Sequence, residues 1–230
     1  MLSSRQVFKK LNPAQKMNLA SYIDYTVLKA DCRPEEAEQV CKEAVTNGYA
    51  AVCVPPFYVK QAAALLEGQP VKTATFVGFP MGYAPTPAKV EEIKRAIDDG
   101  ADEVEASTNL CAVKSKNWNF VANDIDSMAT AAHLKGKTIK IILETGLLTE
   151  EEVRRLCKIA IDAQVDYIKA GSGFNGQETS VEAIQLLRSI VGDKVKVKAF
   201  GGIQTRQDVE RFVEAGARRV GVLAGIPILA

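Results

Sequence analysis

The chain has 230 residues and carries 29 lysines and arginines against 28 aspartates and glutamates, a formal net charge of +1. Hydrophobic residues make up 47% and charged residues 25%, which is ordinary globular usage and excludes disorder, collagen-like repeats or coiled coil as the main state. The small net charge creates no global field that would attract nucleic acid or an anionic membrane, so neither is an expected partner.

Cysteine and histidine usage does not support a metal site or a disulfide framework. The chain has one histidine and five widely spaced cysteines, with no CxxC pair: Cys32, Cys41, Cys53, Cys111 and Cys157. We therefore expect no metal and no cofactor. The N-terminal segment MLSSRQVFKKLNPAQKMN lacks the apolar core of a signal peptide, and no apolar run reaches the about 18 residues of a membrane span. The expected location is the cytoplasm.

Short β-branched runs alternate with longer amphipathic stretches along the whole chain. Strands are predicted at 22–29, 50–55, 71–79, 102–108, 137–145, 166–171, 194–200 and 218–224. Helices are predicted at 34–48, 56–67, 86–99, 119–135, 149–163, 179–191 and 205–215, with a short N-terminal helix near 5–20. Such alternation favours a parallel sheet, and eight repeats favour a closed (β/α)₈ TIM barrel forming a single domain over 1–230. A doubly wound sheet is the alternative.

Several predicted helices begin with recognisable capping residues. Thr149 followed by Glu152, and Thr179 followed by Glu182, match the pattern in which two side chains satisfy the first backbone N–H groups. Thr86 precedes a proline, which predicts that Thr86 caps the third of these helices.

Two lysines lie near the C-terminal ends of neighbouring predicted strands, where barrel enzymes carry their chemistry. Lys169 is in DYIKAG, and Lys198 is in KVKVKAF, where Lys196 shares its face and would need an acidic partner. Burial and a second cation lower the pKa of a lysine, and the neutral amine can then attack a carbonyl. The alternative for Lys169 alone is a side chain that reaches solvent at the strand tip.

Acidic residues on other strands share faces with a further lysine. Glu103 and Glu105 share one face of predicted strand four, and Lys140 and Glu144 share one face of predicted strand five. Asp24 is on predicted strand one. Their carboxylates could serve as general acids or bases, or they could form a salt-bridge network that plugs the barrel mouth.

Glycines follow the last three predicted strands. Gly201, Gly202 and Gly225 stand where barrels commonly bind phosphate through loop N–H groups, near the helix that begins around Thr205, and the GSG at 171–173 could extend this anion site. The alternative is that these are tight turns that need a positive φ.

Seven segments occur in the order found in a known family: IDYTVLK, AVCVPP, TFVGFPMG, DGADEVE, KIILETGLL, DYIKAGSGF and VKAFGGIQT. Over residues 24–225 the chain resembles the deoxyribose-phosphate aldolases. The resemblance implies a metal-independent class I aldolase on a TIM barrel, acting in deoxyribonucleotide breakdown. Its reaction would be cleavage of 2-deoxy-D-ribose 5-phosphate to glyceraldehyde 3-phosphate and acetaldehyde.

The resemblance also implies roles for individual residues. Lys169 matches the lysine that forms the Schiff base, Lys198 the lysine that lowers its pKa, and Glu105 the position of a catalytic aspartate that relays protons. The positions that match, or are expected to contribute to, substrate binding are Asp24, Thr26, Lys140, Glu144, Ser172, Gly201, Gly202 and Gly225.

The chain departs from the family pattern at several positions. Glu105 replaces an aspartate, Tyr25 replaces the histidine of IDHT, KAGSGF replaces KTSTGF and keeps only Ser172, and GVLAG replaces the serine-bearing GTSSG. We therefore expect the lysine chemistry to be retained and phosphate recognition to be weakened. Two further readings remain: an aldolase for a different, less phosphate-dependent aldehyde, and a non-catalytic barrel that binds a ligand. A homodimer is the expected assembly.

Overall fold

A computed structural model describes residues 18–176 and 178–228 of the protein. In these residues, eight parallel strands follow one another around a closed barrel, and the last strand pairs with the first. The strands are β1 Ile23–Thr26, β2 Ala51–Val54, β3 Lys72–Val77, β4 Glu103–Ser107, β5 Thr138–Ile142, β6 Tyr167–Lys169, β7 Lys196–Phe200 and β8 Arg219–Leu223. The (β/α)₈ prediction is confirmed, and the doubly wound alternative is excluded because the sheet closes.

Helices surround the barrel. They are α1 Pro34–Asn47, α2 Val59–Leu65, α3 Thr86–Asp98, α4 Leu110–Lys114, α5 Trp118–His133, α6 Glu150–Asp162, α7 Val181–Val191 and α8 Arg206–Glu214. Short 3₁₀ helices occupy Leu19–Tyr22, Pro56–Tyr58 and Thr145–Leu147. The sequence did not predict α4, a short helix in which the side chain of Asn109 accepts from the N–H of Ala112. The predicted N-terminal helix near 5–20 lies almost entirely outside the described residues.

The capping predictions are partly confirmed. Thr149 and Glu152 form the expected reciprocal cap at the start of α6. Helix α7 begins one residue later than predicted because Ser180 is its cap, which leaves the Thr179 hydroxyl to donate to the carbonyl of Phe200 at 2.5 Å. Helix α3 likewise begins at Thr86 and not after it. Both threonines were predicted as caps; the hydroxyl of Thr179 instead joins the loop after β6 to the end of β7.

The outward faces of the strands form the apolar core with the helices. These positions are fully buried and mostly β-branched: Val52, Val104, Ile139, Ile141, Ile168, Val197 and Val220. Burying each of these side chains contributes roughly 1.5–3 kcal/mol, and the β-branched shapes suit a strand covered by helices. The inward faces carry the charged residues, so the two faces of one sheet have opposite character.

A buried lysine of α3 ties two loops at the C-terminal side of the barrel. The ammonium group of Lys89 lies 2.5 Å from a carboxylate oxygen of Asp124 on α5, and it donates to the carbonyls of Gly82 and Ser107. Gly82 has a φ of 69°, and a Cβ there would lie 2.1 Å from the carbonyl oxygen of Thr108. Only glycine fits at this close approach. The loop after β3 is thus fixed to the end of β4.

Strand register brings the predicted chemical residues to one level. Lys169 is the neighbour of Lys198 across β6 and β7, and Glu105 is the neighbour of Lys140 across β4 and β5. Phe76 of β3 is level with Glu105 on its other side. Among the described helices, none has the length and apolar character needed to cross a membrane.

Candidate active site

Seven charged side chains project into the barrel and form one connected group, which we call the ion cluster. Its members are Asp24, Glu103, Glu105, Lys140, Lys169, Lys198 and Arg219. All seven are buried or nearly so, the most exposed being the Arg219 side chain at 12%. A charge removed from water is costly unless it is paired, and each of these contacts at least one opposite charge.

Glu105 is the hub of the upper part of the cluster. One of its carboxylate oxygens lies 2.7 Å from the Nζ of Lys169, and the other lies 2.5 Å from the Nζ of Lys198 and 3.3 Å from that of Lys140. The carboxylate therefore joins the two lysines that the sequence placed together, and it can pass a proton between their nitrogens.

The deeper part of the cluster is built on Asp24 and Glu103. Asp24 lies 2.5 Å from the Nζ of Lys198 and 2.6 Å from that of Lys140, and it also accepts from Arg219. Glu103 lies 2.6 Å from Lys140 and 2.8 Å from Arg219. These contacts cross the barrel and hold Lys140 and Lys198 in place from below.

The environment of Lys169 differs from that of the other lysines. It pairs with Glu105, while the centroids of the Phe200 and Phe76 rings lie 4.0 Å and 5.3 Å from its nitrogen. Burial is the main cause that lowers the pKa of Lys169, and the nearby charge of Lys198 lowers it further, against the opposing pull of Glu105. Lys169 is thereby disposed to give up its proton.

The pKa values of three surrounding groups move in the directions that keep those groups charged. Burial alone would raise the pKa of Asp24 and Glu105, but the neighbouring cations outweigh it and hold both well below the usual range. Burial would lower the pKa of Lys140, yet Asp24, Glu103 and Glu105 raise it well above its ordinary value. These groups stay charged around Lys169.

Charge counting supports the same conclusion. The ion cluster holds four cationic side chains and three carboxylates. Buried charges are least costly when they balance, and with Lys169 neutral three cations face three carboxylates. The cluster therefore favours a neutral amine at Lys169, which is the form that attacks a carbonyl carbon.

Other predicted binding residues lie beside the cluster. The Thr26 hydroxyl donates to the backbone carbonyl of Asp24. Glu144 lies past the end of β5 and accepts from the backbone N–H of Ser172 at 2.5 Å, so it holds the loop after β6. The Ser172 hydroxyl accepts from the N–H of Phe174. In this structure the side chains of Thr26 and Ser172 stabilise local backbone.

The predicted glycine-based anion site is only partly available. Gly201 and Gly202 have positive φ values of 102° and 74°, as tight turns require. The N–H of Gly225 donates to the Tyr25 hydroxyl at 2.7 Å, so this group is already bonded. A Cβ added at Gly202 would lie 2.9 Å from a carboxylate oxygen of Glu178.

The start of α8 is also satisfied from within the chain. Asp208 accepts from the N–H groups of Gln204 and Thr205, and the Thr205 side chain completes the cap. A cleft of about 310 Å³ lies between these loops, and within residues 18–176 and 178–228 its lining contains no lysine or arginine. The expected anion site therefore faces one carboxylate, Glu178, and a helix start that is already capped.

Three important residues of the site were not predicted from the sequence. Arg219 lies at the bottom of the ion cluster, and Phe76 and Phe200 enclose Lys169. Arg219 and Gly221 lie on the same face of RVGVL, so the strand alternation used for Lys198 could have predicted that Arg219 points into the barrel. Lys196, predicted to need an acidic partner, is exposed and lies over the Tyr167 ring.

Metal and thiol chemistry have no recognised centre in the described part of the chain. No group of three or more histidine, cysteine, aspartate or glutamate side chains is arranged there to hold a metal ion. All five cysteines are free thiols. Burial is the main cause that raises the pKa of Cys53, which lies inside the barrel, and the carboxylate of Glu105 adds to it, so its thiol stays protonated.

Comparison with known proteins agrees with this geometry. A family model described as DeoC/LacD family aldolase matches residues 18–229. The chain is 45% identical to a deoxyribose-phosphate aldolase of Desulfitobacterium hafniense, covering 93% of this chain and 98% of that protein. It is 42% identical to one of Thermococcus kodakarensis, covering 93% and 96%. The solved structure of the aldolase QR15 superposes with a TM-score of 0.87 at 35% identity, covering 92% of this chain and 94% of that one. The chain therefore belongs to the DeoC/LacD family of aldolases.

Proposed function

We propose that the protein is a class I aldolase that cleaves 2-deoxy-D-ribose 5-phosphate to glyceraldehyde 3-phosphate and acetaldehyde. The observation that carries the proposal is a fully buried Lys169 with a lowered pKa, beside Lys198 and 2.7 Å from Glu105. The substrate is taken from the relatives, which are named deoxyribose-phosphate aldolases.

The proposed mechanism begins with attack of the neutral Lys169 amine on the carbonyl carbon of the open-chain sugar. The resulting carbinolamine loses water to give an imine, which is protonated and accepts the electron pair of the breaking carbon–carbon bond. Glu105 moves protons during these steps, because its two oxygens contact Lys169 and Lys198 at 2.7 and 2.5 Å. Hydrolysis of the acetaldehyde imine returns the free amine.

The remaining residues act on this centre by charge and position. Lys198 helps burial to keep the pKa of Lys169 low, and ion pairs with Asp24 and Lys140 hold the side chains of Lys198 and Glu105 in position. Gly201 and Gly202 line the cleft between the loops after β6 and β7, where substrate atoms remote from the imine would lie, and Ser172 is buried in the loop after β6.

Borohydride trapping tests the proposal directly. Incubation with acetaldehyde and borohydride should add one ethyl group to Lys169, as mapped by mass spectrometry. Lys169→Met should lose at least about 10³-fold in turnover, as expected for loss of a covalent nucleophile, while remaining folded. Lys196→Met is the matched control, because Lys196 is exposed on the neighbouring strand. An adduct on any other lysine would contradict the assignment.

Two contacts at the glycine cleft favour the second candidate function, an aldolase that depends less on phosphate. The carboxylate of Glu178 lies against Gly202, and the Gly225 N–H is bonded to Tyr25. Each hydrogen bond missing to a charged group is worth roughly 1.5–3 kcal/mol, so losing two such bonds weakens phosphate binding substantially. Comparing kcat/KM for phosphorylated and unphosphorylated deoxyribose distinguishes the two candidates.

We also propose a cytoplasmic homodimer with one barrel domain per subunit. The five free thiols, among them the exposed Cys111, suit a reducing compartment. Exposed apolar side chains such as Phe57 and Tyr83 offer contact surface for a second subunit. Light scattering of the purified protein tests the assembly.

A further inference from the structure

A row of phenylalanine rings leads from Lys169 to the protein surface. The Phe76 centroid is 5.3 Å from the Lys169 nitrogen, Phe79 lies 4.3 Å from Phe76, and Phe174 lies 5.4 Å from Phe79. Phe174 is 51% exposed. The row continues from the Lys169 nitrogen to solvent through three successive ring contacts.

These rings form one wall of an open cleft of about 670 Å³. The apolar part of its lining comes from β3, from α3 and from the loops after β1, β2, β3 and β6: Val27, Leu28, Ala30, Pro55, Pro56, Phe76, Phe79, Ala88, Ala96 and Phe174. A cleft of this size, apolar and next to a reactive group, has the character of a small-molecule site.

The charged residues at the edge of this cleft are already partnered. Lys29 pairs with Glu36 at 2.5 Å, and Arg95 pairs with Asp99 at 2.8 Å. Glu92 accepts from the N–H of Gly78 at 2.6 Å. Both cations are held in exposed ion pairs, and the rest of the cleft lining offers mainly apolar contact.

The opposite side of Lys169 is filled by a ring that is held in place. A Cβ at Gly221 would lie 2.2 Å from the Phe200 ring, and a Cβ at Gly173 would lie 2.6 Å from it. Phe200 is thus packed between two glycine backbones, with its ring 4.0 Å from the Lys169 nitrogen. It stands between that nitrogen and the glycine cleft near Glu178.

We propose that the cleft beside Phe76 is an acceptor site for an uncharged apolar aldehyde, such as one with an aryl or branched alkyl chain. The inference rests on the proposed imine chemistry at Lys169 and adds the class of substrate. The enamine carbon of acetaldehyde bonds to the carbonyl carbon of the acceptor, whose oxygen gains a proton. Water then cleaves the imine, releasing a 3-hydroxyaldehyde and the free amine.

The first test compares acceptors in the aldol direction with acetaldehyde as donor. We expect 3-phenylpropanal to exceed unphosphorylated glyceraldehyde in kcat/KM by about 10-fold, because its ring replaces water along the phenylalanine row. A ratio above one supports the apolar site. A ratio below one would overturn it.

A second measurement does not depend on turnover. Calorimetry with the unreactive alcohol 3-phenylpropan-1-ol should show binding, and Phe174→Ser should weaken it by about 10-fold. Phe57→Ser is the control, since Phe57 is 87% exposed and does not line the cleft. The control should leave the affinity unchanged, and glycerol should bind more weakly than the alcohol.

The two measurements separate the inference from the proposed function. If borohydride traps Lys169 but the alcohol does not bind, or binds unchanged in Phe174→Ser, the aldolase stands and the apolar site is wrong. If the alcohol binds as expected and no lysine is trapped, the site stands and the imine chemistry is wrong.

Discussion

The inside of the barrel has two halves of opposite character. Strands β4 to β8 and β1 supply the ion cluster, whereas β2 and β3 supply small and apolar side chains: Ala51, Cys53, Ala74 and Phe76. Lys169 lies at the boundary, with Glu105 on one side and the Phe76 ring on the other. The charged half keeps its other members ionised, and the apolar half removes water from Lys169. A reactive lysine at this position needs both the charged neighbours and the apolar surroundings.

The largest expected effect comes from breaking the charged half at its hub. Glu105→Gln leaves Lys198, Lys140 and Lys169 buried around a neutral amide, and breaking a buried pair costs about 3–5 kcal/mol. Denaturant unfolding measures the loss. Glu36→Gln, which breaks an exposed pair, should lower the stability far less. Equal losses in the two variants would show that the cluster is not a buried unit, and Glu105→Asp should retain most of the stability.

The next effect concerns how the charged half tunes Lys169. Removing a neighbouring cation in Lys198→Met should raise the pKa of Lys169, because the like charge that lowers it is lost. With less of the amine neutral, kcat/KM near neutral pH should fall by about 10-fold or more and recover at higher pH. The pH profile of kcat/KM for aldehyde addition is the measurement. A uniform fall at every pH would mean that Lys198 acts in another way.

A smaller effect is expected where the charged half meets the loops after β7 and β8. Leu223→Ser with Ala224→Ser adds hydroxyl donors near the glycine cleft, and Leu223 and Glu178 both line it. We expect KM for deoxyribose 5-phosphate to fall less than about 10-fold, with little change in kcat, because the Glu178 carboxylate remains. Adding Glu178→Gln should lower KM further. A strong preference of the parent enzyme for deoxyribose 5-phosphate over unphosphorylated deoxyribose would contradict the expectation that phosphate recognition is weakened.

The smallest effect tests the apolar half. Cys53 is fully buried with a raised pKa, whereas Cys111 is exposed. Iodoacetamide should modify Cys111 in the native protein without changing turnover, and peptide mapping should find Cys53 unmodified. Labelling of Cys53 under native conditions would show that this half of the barrel opens to water.

The barrel and its lysine pair were predictable because both depend on local periodicity. Alternation along KVKVKAF places Lys198 inward, and parallel register then brings it level with Lys169. Features set by distant contacts were not predictable. Gly225 was expected to bind an anion, but its N–H is bonded to Tyr25, which is 200 positions away. Phe200 belongs to the segment VKAFGGIQT, yet its packing between Gly173 and Gly221 exists only in the closed barrel.

The tie made by Lys89 has a consequence for protein engineering. The loop after β3 carries Phe79, and Lys89 joins that loop to the end of the strand that bears Glu105. A chimera that exchanges the loop together with α3 but keeps the original α5 would leave the carboxylate of Asp124 without its ammonium partner wherever the relative lacks Lys89. Loop transplants between relatives should therefore carry α3 and α5 together as one cassette.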